Sequence, residues 1–437
     1  MLVQLKTLGC RLNEAELENW AHQFQQQGCD IAADGDAADL VVVNTCAVTQ
    51  EAVRKSRKLL RRSQRQNPCA KLVVSGCFAS LDAESVIREQ GVDLVVSNQD
   101  KDRLVDIALN ELVLESMPKT AMDVDEPNPL FARGRQRAFI KVQDGCRYRC
   151  TFCIVTHARG EERSRPIGEI VDQVNRLQTS GIKEVVLAGV HLGGYGSDRE
   201  TNLLELCSAL LADTDIERIR LGSLEPWDLP DGLWRLFDNP RLMPHLHLPL
   251  QAGTDSVLRR MARRCKTDEF ARLVTAARDQ VPDINLTTDI IVGFPGETDS
   301  EWRQTLEFVQ GIGFGHIHLF AYSPRSGTKA ASLPGQIPAE IKRARSAELQ
   351  SLAATMKRET LKRGVGRRYP VLVETLLDDS DNWTWTGYTP SYMPIRIYGN
   401  SSGDLINQIV DVEATGTGQD GEFLIGRISR SAMPGQD

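Results

Sequence analysis

The chain has 437 residues, of which 41% are hydrophobic and 25% charged, so it is long enough for about three domains that each bury a core without disulfides. Its formal net charge of −7 excludes a nucleic-acid-binding mode that relies on an overall basic surface. The sequence has no apolar run near ~18 residues and no signal-peptide pattern, which predicts a cytoplasmic protein without membrane contact, whose ten cysteines are reduced thiols.

Short apolar runs alternate with amphipathic stretches over residues 1–115, which we predict to be the first domain. Such alternation is typical of a parallel α/β sheet. The predicted strands are 2–8, 40–43, 72–74 and 92–96, and the predicted helices are 14–27, 50–65, 82–89 and 101–113.

Three cysteines of this segment each follow a predicted strand. Cys10, Cys46 and Cys77 come after the first, second and third strands. Because the carboxyl ends of parallel strands meet at one edge of a sheet, we expect the three thiols to lie close together. Three thiols without a fourth suggest an iron–sulfur cluster with one open iron. The alternative is three small core residues that happen to follow strands.

The second predicted helix carries the strongest local positive charge. Seven basic residues lie between positions 54 and 65, and Arg54, Lys58, Arg61 and Arg65 fall on one stripe of a helix. Such a stripe is a candidate contact for RNA phosphates. A solvated helix face explains the same pattern, so the sequence leaves both interpretations open.

The alternation of strands and helices resumes in residues 132–345, the second predicted domain. It predicts six βα units, an arrangement in which reactive groups lie at the carboxyl ends of the strands. The predicted strands are 137–143, 184–188, 217–222, 244–250, 285–292 and 316–322, and the predicted helices are 168–179, 202–212, 254–263, 267–279 and 299–311.

The loop after the first of these strands contains a Cys-x3-Cys-x2-Cys pattern formed by Cys146, Cys150 and Cys153. Three thiolates this close can hold three irons of a [4Fe–4S] cluster and leave the fourth iron open to a small molecule. The alternatives are a zinc site completed by His157 and plain structural cysteines. With the aromatic Phe152 before the last cysteine, the pattern resembles the radical S-adenosylmethionine superfamily. That resemblance implies S-adenosylmethionine at the open iron.

Other strand ends in this segment are candidate contacts for S-adenosylmethionine, together with Phe152. Gln251 lies at the end of the fourth predicted strand. Ile291 and Gly293 form an Ile-x-Gly element that, by the same resemblance, packs on adenine. A simple turn followed by a helix N-cap explains the same stretch.

Two pairs of histidines alternate along strands. His245 and His247 share one face of a strand, and so do His316 and His318. A proton relay, a substrate contact and a structural hydrogen bond are all compatible with this placement. The sequence therefore assigns no catalytic residue.

The last segment begins with a charged helix predicted at 340–365, and residues 362–432 are the third predicted domain. Five short strands separated by Gly, Asn and Asp turns fit a small β-barrel. The aromatic residues of these strands and turns could stack on RNA bases, but the sequence favours core and hairpin positions for them. The strands are predicted at 369–374, 383–387, 393–398, 405–412 and 423–429, and the aromatic residues are Trp383, Trp385, Tyr388 and Tyr392.

Taken together, the three segments resemble the methylthiotransferases of the radical S-adenosylmethionine superfamily. The resemblance implies an α/β fold with an N-terminal three-cysteine domain, an open six-unit (β/α) partial barrel and a C-terminal TRAM-like β-barrel. It also implies two [4Fe–4S] clusters, one on each cysteine triad. The matching stretches are 9–13, 44–49, 75–77, 145–153, 158–160, 163–165 and 289–297.

Residues 218–226, 245–251 and 387–392 resemble the branch that acts on N6-threonylcarbamoyladenosine of tRNA, next to the anticodon at position 37. The resemblance implies a transferase that inserts a methylthio group at C2 of that base with two S-adenosylmethionine molecules. It further implies tRNA as a partner, an electron donor such as flavodoxin or ferredoxin, and a monomer. The alternatives are the same chemistry on N6-isopentenyladenosine and a non-catalytic iron–sulfur RNA-binding regulator.

Overall fold

The computed structural model describes residues 1–33, 35–89, 91–112, 136–377, 383–399 and 405–429. It confirms the predicted α/β class, with parallel sheets followed by a closed C-terminal β-barrel. No helix in the described ranges is long and apolar enough to cross a bilayer. The predicted domain limits stay predictions, and those at 115 and 132 lie outside the described ranges.

The N-terminal sheet has the parallel order β2-β1-β3-β4-β5. All six residues of β3 are buried, as expected where helices cover both faces of a parallel sheet. The direction of the strand order reverses between β1 and β3, which is where such sheets bind ligands. The strands are β1 (Leu2–Thr7), β2 (Asp30–Ile31), β3 (Leu40–Thr45), β4 (Lys71–Gly76) and β5 (Leu94–Val95), and the helices are α1 (Arg11–Gln26), α2 (Gln50–Gln66), α3 (Cys77–Leu81), α4 (Ala83–Ile87) and α5 (Leu104–Glu111).

The central segment contains two three-stranded parallel sheets, ordered β10-β9-β6 and β11-β12-β13. Isolated bridges join the two sheets into one open curve of six strands, and all six predicted strands are present. The unit after β10 carries only a short 3-10 helix at Leu233–Asp238. The strands are β6 (Arg137–Lys141), β9 (Glu184–Ala188), β10 (Arg218–Leu221), β11 (His245–His247), β12 (Asn285–Val292) and β13 (His316–Ala321), with β7 (Gln143–Asp144) and β8 (Arg163–Ser164) as a separate antiparallel pair.

Helices cover the outer face of these strands and bury a continuous apolar core against it. The longest of the helices that follow, α12, leads into the C-terminal barrel. The helices are α6 (Val155–Arg159), α7 (Ile167–Thr179), α8 (Leu203–Asp213), α9 (Asp255–Arg260), α10 (Thr267–Gln280), α11 (Asp299–Ile312) and α12 (Ala339–Gly364).

The C-terminal strands close into a barrel with the order β14-β15-β16-β18-β17. Trp385 is 1% exposed inside this barrel, so base stacking is the wrong interpretation for this residue. Tyr388 and Tyr392 stack on each other with ring centroids 4.6 Å apart and line the cavity described below. The strands are β14 (Arg368–Leu377), β15 (Trp383–Tyr388), β16 (Pro394–Gly399), β17 (Ile409–Thr417) and β18 (Leu424–Ile428).

A buried group of charges joins the C-terminal barrel to the central strands. Arg218 donates to the backbone carbonyls of Tyr388 and Pro370, and Arg220 donates to the carbonyl of Pro390. Both guanidinium groups also face the Glu184 carboxylate, at 3.5 and 2.9 Å. The strands of the open barrel therefore hold the C-terminal domain through its main chain, and an ion pair of Arg137 with Glu374 at 2.7 Å adds a side-chain contact.

Glu184 faces three arginines, because the partly buried Arg137, which pairs with Glu374 at 2.7 Å, also lies 3.8 Å from its carboxylate. Burial alone would raise the pKa of Glu184, but the charges of Arg220 and Arg137 outweigh it and lower this pKa to about 2. The carboxylate is therefore ionised at neutral pH, and removing it would leave buried positive charge uncompensated.

We expect Glu184→Gln to lower the free energy of unfolding by about 3–5 kcal/mol, since breaking a buried ion pair strands its partners. Thermal unfolding of the anaerobic protein measures this as a lower Tm. Glu217→Gln is the matched control, because Glu217 forms an exposed pair with Lys183 and should change stability by less than about 0.5 kcal/mol. Equal Tm values for the two variants would contradict the importance assigned to Glu184.

Candidate functional site

A cavity of about 870 Å³ lies where the three parts of the chain meet. The N-terminal sheet contributes the loops after β1, β3 and β4, the open barrel contributes its inner face, and the C-terminal barrel contributes the turn after β15. The predicted site residues that line this cavity are Cys10, Cys46, Cys77, Phe152, Cys153, Gln251 and Ile291.

The first cysteine triad is gathered at the β1/β3 switch point. Gly9 has φ +131°, and a Cβ added there would lie 3.0 Å from the Cβ of Cys46 and 3.2 Å from its Sγ. Only glycine lets the loop that carries Cys10 approach Cys46 so closely. Cys77 begins α3 beside them, and the Asn98 amide donates to its Sγ at 3.9 Å. Three thiols from three strand ends therefore face one space, as the sequence predicts.

The second triad lies on the loop that β7 and β8 close. Within the loop, the backbone N–H of Cys146 donates to the Gly160 carbonyl at 3.1 Å, and that of Cys153 donates to the Cys150 carbonyl at 3.0 Å. Gly145 has φ +73°, and a Cβ there would lie 1.9 Å from the carbonyl oxygen of Glu161, so a side chain cannot fit. The loop is thus folded tightly around its own cysteines.

Burial keeps three thiols of the two triads protonated in the absence of a metal. Burial raises the pKa of Cys146 to about 12, and those of Cys46 and Cys153 to about 11. A bound metal deprotonates a coordinating thiol and supplies the positive charge that a buried thiolate needs. Arg263 also donates toward the Cys150 Sγ at 3.9 Å, and hydrogen bonds to sulfur tune iron–sulfur clusters. The donor sets fit two clusters with three cysteine ligands each.

His191 packs beside the second cysteine loop and contacts two carboxylates there. Its ring nitrogens lie 2.5 Å from Glu162 and 2.7 Å from Asp228, and the Tyr148 hydroxyl donates to Asp228 at 2.8 Å. Burial alone would lower the pKa of His191, but these two carboxylates raise it to about 9. Ligand atoms of Cys146, Glu162 and His191 lie within 4.8 Å of one another. Because both ring nitrogens are occupied, His191 acts as a support for the loop.

The zinc alternative has no geometric support among the residues described. His157 is exposed on α6, and the group of potential ligand atoms around Cys146 does not include it. Because this imidazole is exposed, a metal at the second triad would have three protein ligands, all of them cysteines.

A buried charge network connects the two triads. Arg159 donates to Glu16 at 2.8 Å, to Asp144 at 3.0 Å and to the Asn13 side chain at 2.8 Å. Lys101 adds a second cation, which contacts Glu16 and lies 2.8 Å from Asp144. Asn13 lies in the first turn of α1, three residues after Cys10. Asp144 lies two residues before Cys146, at the start of the second cysteine loop. The network therefore sets the spacing between the two cysteine loops.

The predicted contacts for S-adenosylmethionine are only partly brought together. Phe152, Gln251 and Ile291 line the cavity beside Cys153, and Gln251 holds an uncommon φ of +76° at the strand end. Gly293 is not among the residues that line it. Its backbone N–H donates to Glu297 at 2.9 Å, so it belongs to the turn before α11. The ligand-binding roles of all four stay predictions.

The four strand histidines form one wall of the cavity. Burial and the neighbouring Arg220 keep the pKa of His245 well below its usual range, and burial lowers that of His316 to about 4. His247 and His318 face each other with ring centroids 5.4 Å apart. At neutral pH, His245 and His316 therefore offer hydrogen bonds without positive charge.

Sequence reasoning missed the residues that hold the loops in place. Asn13 and Arg159 lie in stretches that carry the family resemblance, and Asp144 lies next to one, so the sequence marks these positions without giving their contacts. Their pairing with Glu16 and Lys101 depends on how the first sheet docks on the barrel, which no spacing reveals. Arg11 likewise carries no sequence signal beyond its place next to Cys10.

Comparison with known proteins identifies the family. Residues 2–97 match the uncharacterized protein family UPF0004, and residues 140–309 match the radical SAM superfamily. A Thermotoga maritima protein named threonylcarbamoyladenosine tRNA methylthiotransferase MtaB is 36% identical over 92% of each chain. A Bacillus subtilis protein of the same name is 34% identical over 97% of this chain and 96% of its own. The chain belongs to the radical S-adenosylmethionine methylthiotransferases.

Relatives with another substrate are equally similar. A Novosphingobium aromaticivorans protein named tRNA-2-methylthio-N(6)-dimethylallyladenosine synthase is 34% identical over 92% of this chain and 93% of its own. Among solved structures, the radical S-adenosylmethionine methyltransferase TsrM from Kitasatospora setae has a TM-score of 0.57 at 15% identity, covering 76% of this chain and 77% of its own. That likeness shows the fold. The family makes this chain an enzyme that uses [4Fe–4S] clusters and S-adenosylmethionine, which excludes the non-catalytic regulator.

We expect Arg159→Gln to lower the free energy of unfolding by about 3–5 kcal/mol, because Glu16 and Asp144 would be left buried with Lys101 as their nearest remaining cation. Thermal unfolding under anaerobic conditions measures the loss. Arg163→Gln is the matched control, since Arg163 is exposed and lies 4.0 Å from Asp144. A Tm for Arg159→Gln as high as that of the control would contradict the role of the network.

Proposed function

We propose that the chain inserts a methylthio group at C2 of N6-threonylcarbamoyladenosine, next to the anticodon of tRNA. The observation that carries the proposal is that Cys10, Cys46, Cys77 and Cys153, drawn from both triads, line one cavity. A reaction that needs a radical generated at one cluster and sulfur held at the other requires both at the same base. A cavity of about 870 Å³ is large enough for a modified base and a cofactor together.

The six triad cysteines would hold the two [4Fe–4S] clusters. When bound, the cluster on the second triad supplies the electron that cleaves S-adenosylmethionine, and a second S-adenosylmethionine supplies the methyl group. Phe152, Gln251 and Ile291 line the side of the cavity next to Cys153 and would position the cofactor there. A bound base that fills the cavity would displace water from its walls, which would protect a radical from side reactions.

The polar residues that line the cavity near Tyr392 support the threonylcarbamoyl substrate over the isopentenyl one. Arg11, Asn285, Thr287 and the strand histidines face the cavity at the end closed by Tyr392. A carbamoyl-threonine group carries hydrogen-bonding atoms and a carboxylate that such a wall can bind, whereas an isopentenyl group is apolar and would gain no hydrogen bond there. The sequence stretches that resemble the threonylcarbamoyl branch point the same way.

Helix α2 would hold the tRNA outside the cavity. Thr49, its N-cap, lines the cavity, and the helix extends about 25 Å from there. Arg57 and Arg61 pair with Glu89, whereas Lys58, Arg62 and Arg65 are exposed and form no salt bridge with a described residue. These three cations are therefore available to phosphates. A monomer, a flavodoxin- or ferredoxin-type electron donor and a cytoplasmic location remain predictions.

Anaerobically reconstituted enzyme should convert threonylcarbamoyladenosine in an anticodon stem-loop to its 2-methylthio derivative, measured by mass spectrometry of the digested RNA. The Cys10/Cys46/Cys77→Ala variant should fall from about eight irons to about four and make no methylthio product, since each cubane cluster holds four irons. The same variant should still form 5′-deoxyadenosine, because the second triad is intact.

Two results would overturn the proposal in different ways. Modification of an isopentenyladenosine stem-loop alone would move the enzyme to the other substrate. An equal iron content in the wild type and the triple variant would show that the first triad holds no cluster. The proposed sulfur-inserting chemistry would then be wrong. A Cys29/Cys207→Ala variant serves as the matched control, because these two buried cysteines lie outside both triads.

Reversing charge at Lys58, Arg62 and Arg65 to Glu should weaken tRNA binding at least tenfold at low salt and reduce the slope of log K against log salt by about 2–3. Fluorescence anisotropy across a salt series measures both quantities. Reversal of three exposed arginines elsewhere, Arg272, Arg303 and Arg343, matches the change in net charge. Equal losses in the two variants would mean that α2 is not a specific RNA contact.

A further inference from the structure

We infer that Arg11 recognises the carboxylate of the threonylcarbamoyl group and is the residue that makes the enzyme prefer this modified base. The inference rests on the proposed function and names the contact that sets its specificity. It is carried by one cation that lines the cavity and has no anionic partner among the described residues.

Arg11 is the first residue of α1 and directly follows Cys10, a proposed ligand of the first cluster. Its side chain is half-buried and lines the cavity, with the guanidinium carbon 5.7 Å from the centre of the Tyr392 ring. The described part of the chain offers it no carboxylate within salt-bridge distance. Its position places a fixed positive charge between the first cysteine triad and the end of the cavity closed by the C-terminal barrel.

The other permanent cations of the cavity wall are already balanced. Within the described residues these are Arg159 and Lys357. Arg159 pairs with Glu16 and Asp144, and Lys357 pairs with Glu422. An incoming anion would therefore compete with an existing ion pair at either position, whereas at Arg11 it would find an open partner.

The carboxylates of the wall do not neutralise Arg11 either. Asp289 lies 3.2 Å from the His247 ring, and Glu225 lies 4.0 Å from Arg263. His245 and His316 are uncharged at neutral pH, as shown above, so they add hydrogen bonds and no competing charge. The charge that Arg11 brings to the cavity is thus free for a ligand.

Tyr392 contacts Arg11, and the same ring also lies 4.7 Å from the guanidinium of Arg220 and 5.1 Å from that of Arg137. This tyrosine has φ +64°, a conformation that is costly for a residue with a side chain, and it stacks on Tyr388 and lies 4.9 Å from the His245 ring. A guanidinium over an aromatic face is attracted by the ring and loses freedom before the ligand arrives. The strained turn therefore presents a preset surface for the arginine.

The chemistry of the base fits this position. The substituent on N6 leaves the same Watson–Crick edge that carries C2, so its terminal carboxylate stays close to the carbon that reacts beside the first triad. A guanidinium binds a carboxylate through two parallel hydrogen bonds, which fixes orientation as well as affinity. An isopentenyl group offers no anion and would leave Arg11 unpaired in the cavity, which is how buried polar groups reject an analogue.

The test compares two anticodon stem-loops that differ in one group: threonylcarbamoyladenosine and its neutral carboxamide analogue. Wild-type enzyme should prefer the carboxylate by about 10- to 100-fold in kcat/KM, the range for a charge-assisted contact. Arg11→Gln should lose this preference through a higher KM for the carboxylate substrate alone, and Arg11→Lys should retain part of it. Arg272→Gln, at an exposed pair on α10, is the matched control and should keep the wild-type ratio.

Iron content is measured for each variant, so that loss of a cluster is told apart from loss of recognition. A wild-type enzyme that accepts the carboxamide equally well overturns the inference while leaving the proposed function intact, and this result needs no variant. Retention of the full preference by Arg11→Gln overturns it too. Failure of the wild type to modify the threonylcarbamoyl stem-loop, with activity on isopentenyladenosine, would instead overturn the proposed function.

Discussion

The buried ion network of Arg159, Glu16, Asp144 and Lys101 is the constraint on which the rest of the site depends. Two carboxylates and two cations are removed from water at the junction of the first sheet and the barrel, and each is tolerated only because the others are present. Such a group has one geometry in which all charges are paired. The two cysteine loops are attached to its ends, so their separation is fixed by electrostatics as well as by packing.

Much of the site was predictable because parallel sheets follow a positional rule. Cysteines that follow strands must meet at one edge, so Cys10, Cys46 and Cys77 could be grouped from spacing alone. The strands of the open barrel were predictable because short β-type stretches alternate with amphipathic helical stretches along the chain. Gly293 shows where this reasoning stops, since a motif places a residue near a strand end without saying which way it faces, and here it faces the turn before α11.

What sequence could not supply is the set of contacts made by charged residues across domain boundaries. Nothing local to Glu184 indicates that three arginines surround it, and nothing local to Arg11 indicates that no carboxylate of the described residues pairs with it. Long polar side chains choose partners according to tertiary docking, so a pattern-based interpretation treats them as solvated. The strand β2 was not predicted because its two residues are too few to show a periodic pattern.

The hold of the open barrel on the C-terminal domain acts on main-chain oxygens. Arg218, Arg220 and Asn285 donate to carbonyls of residues 370, 388, 390 and 391, and a carbonyl is the same whatever side chain its residue bears. These four hydrogen bonds therefore survive many substitutions at the residues that accept them, whereas the ion pair of Arg137 with Glu374 depends on that one carboxylate. Over evolutionary time the main-chain part of this interface tolerates sequence change, and the ion pair is the part that does not.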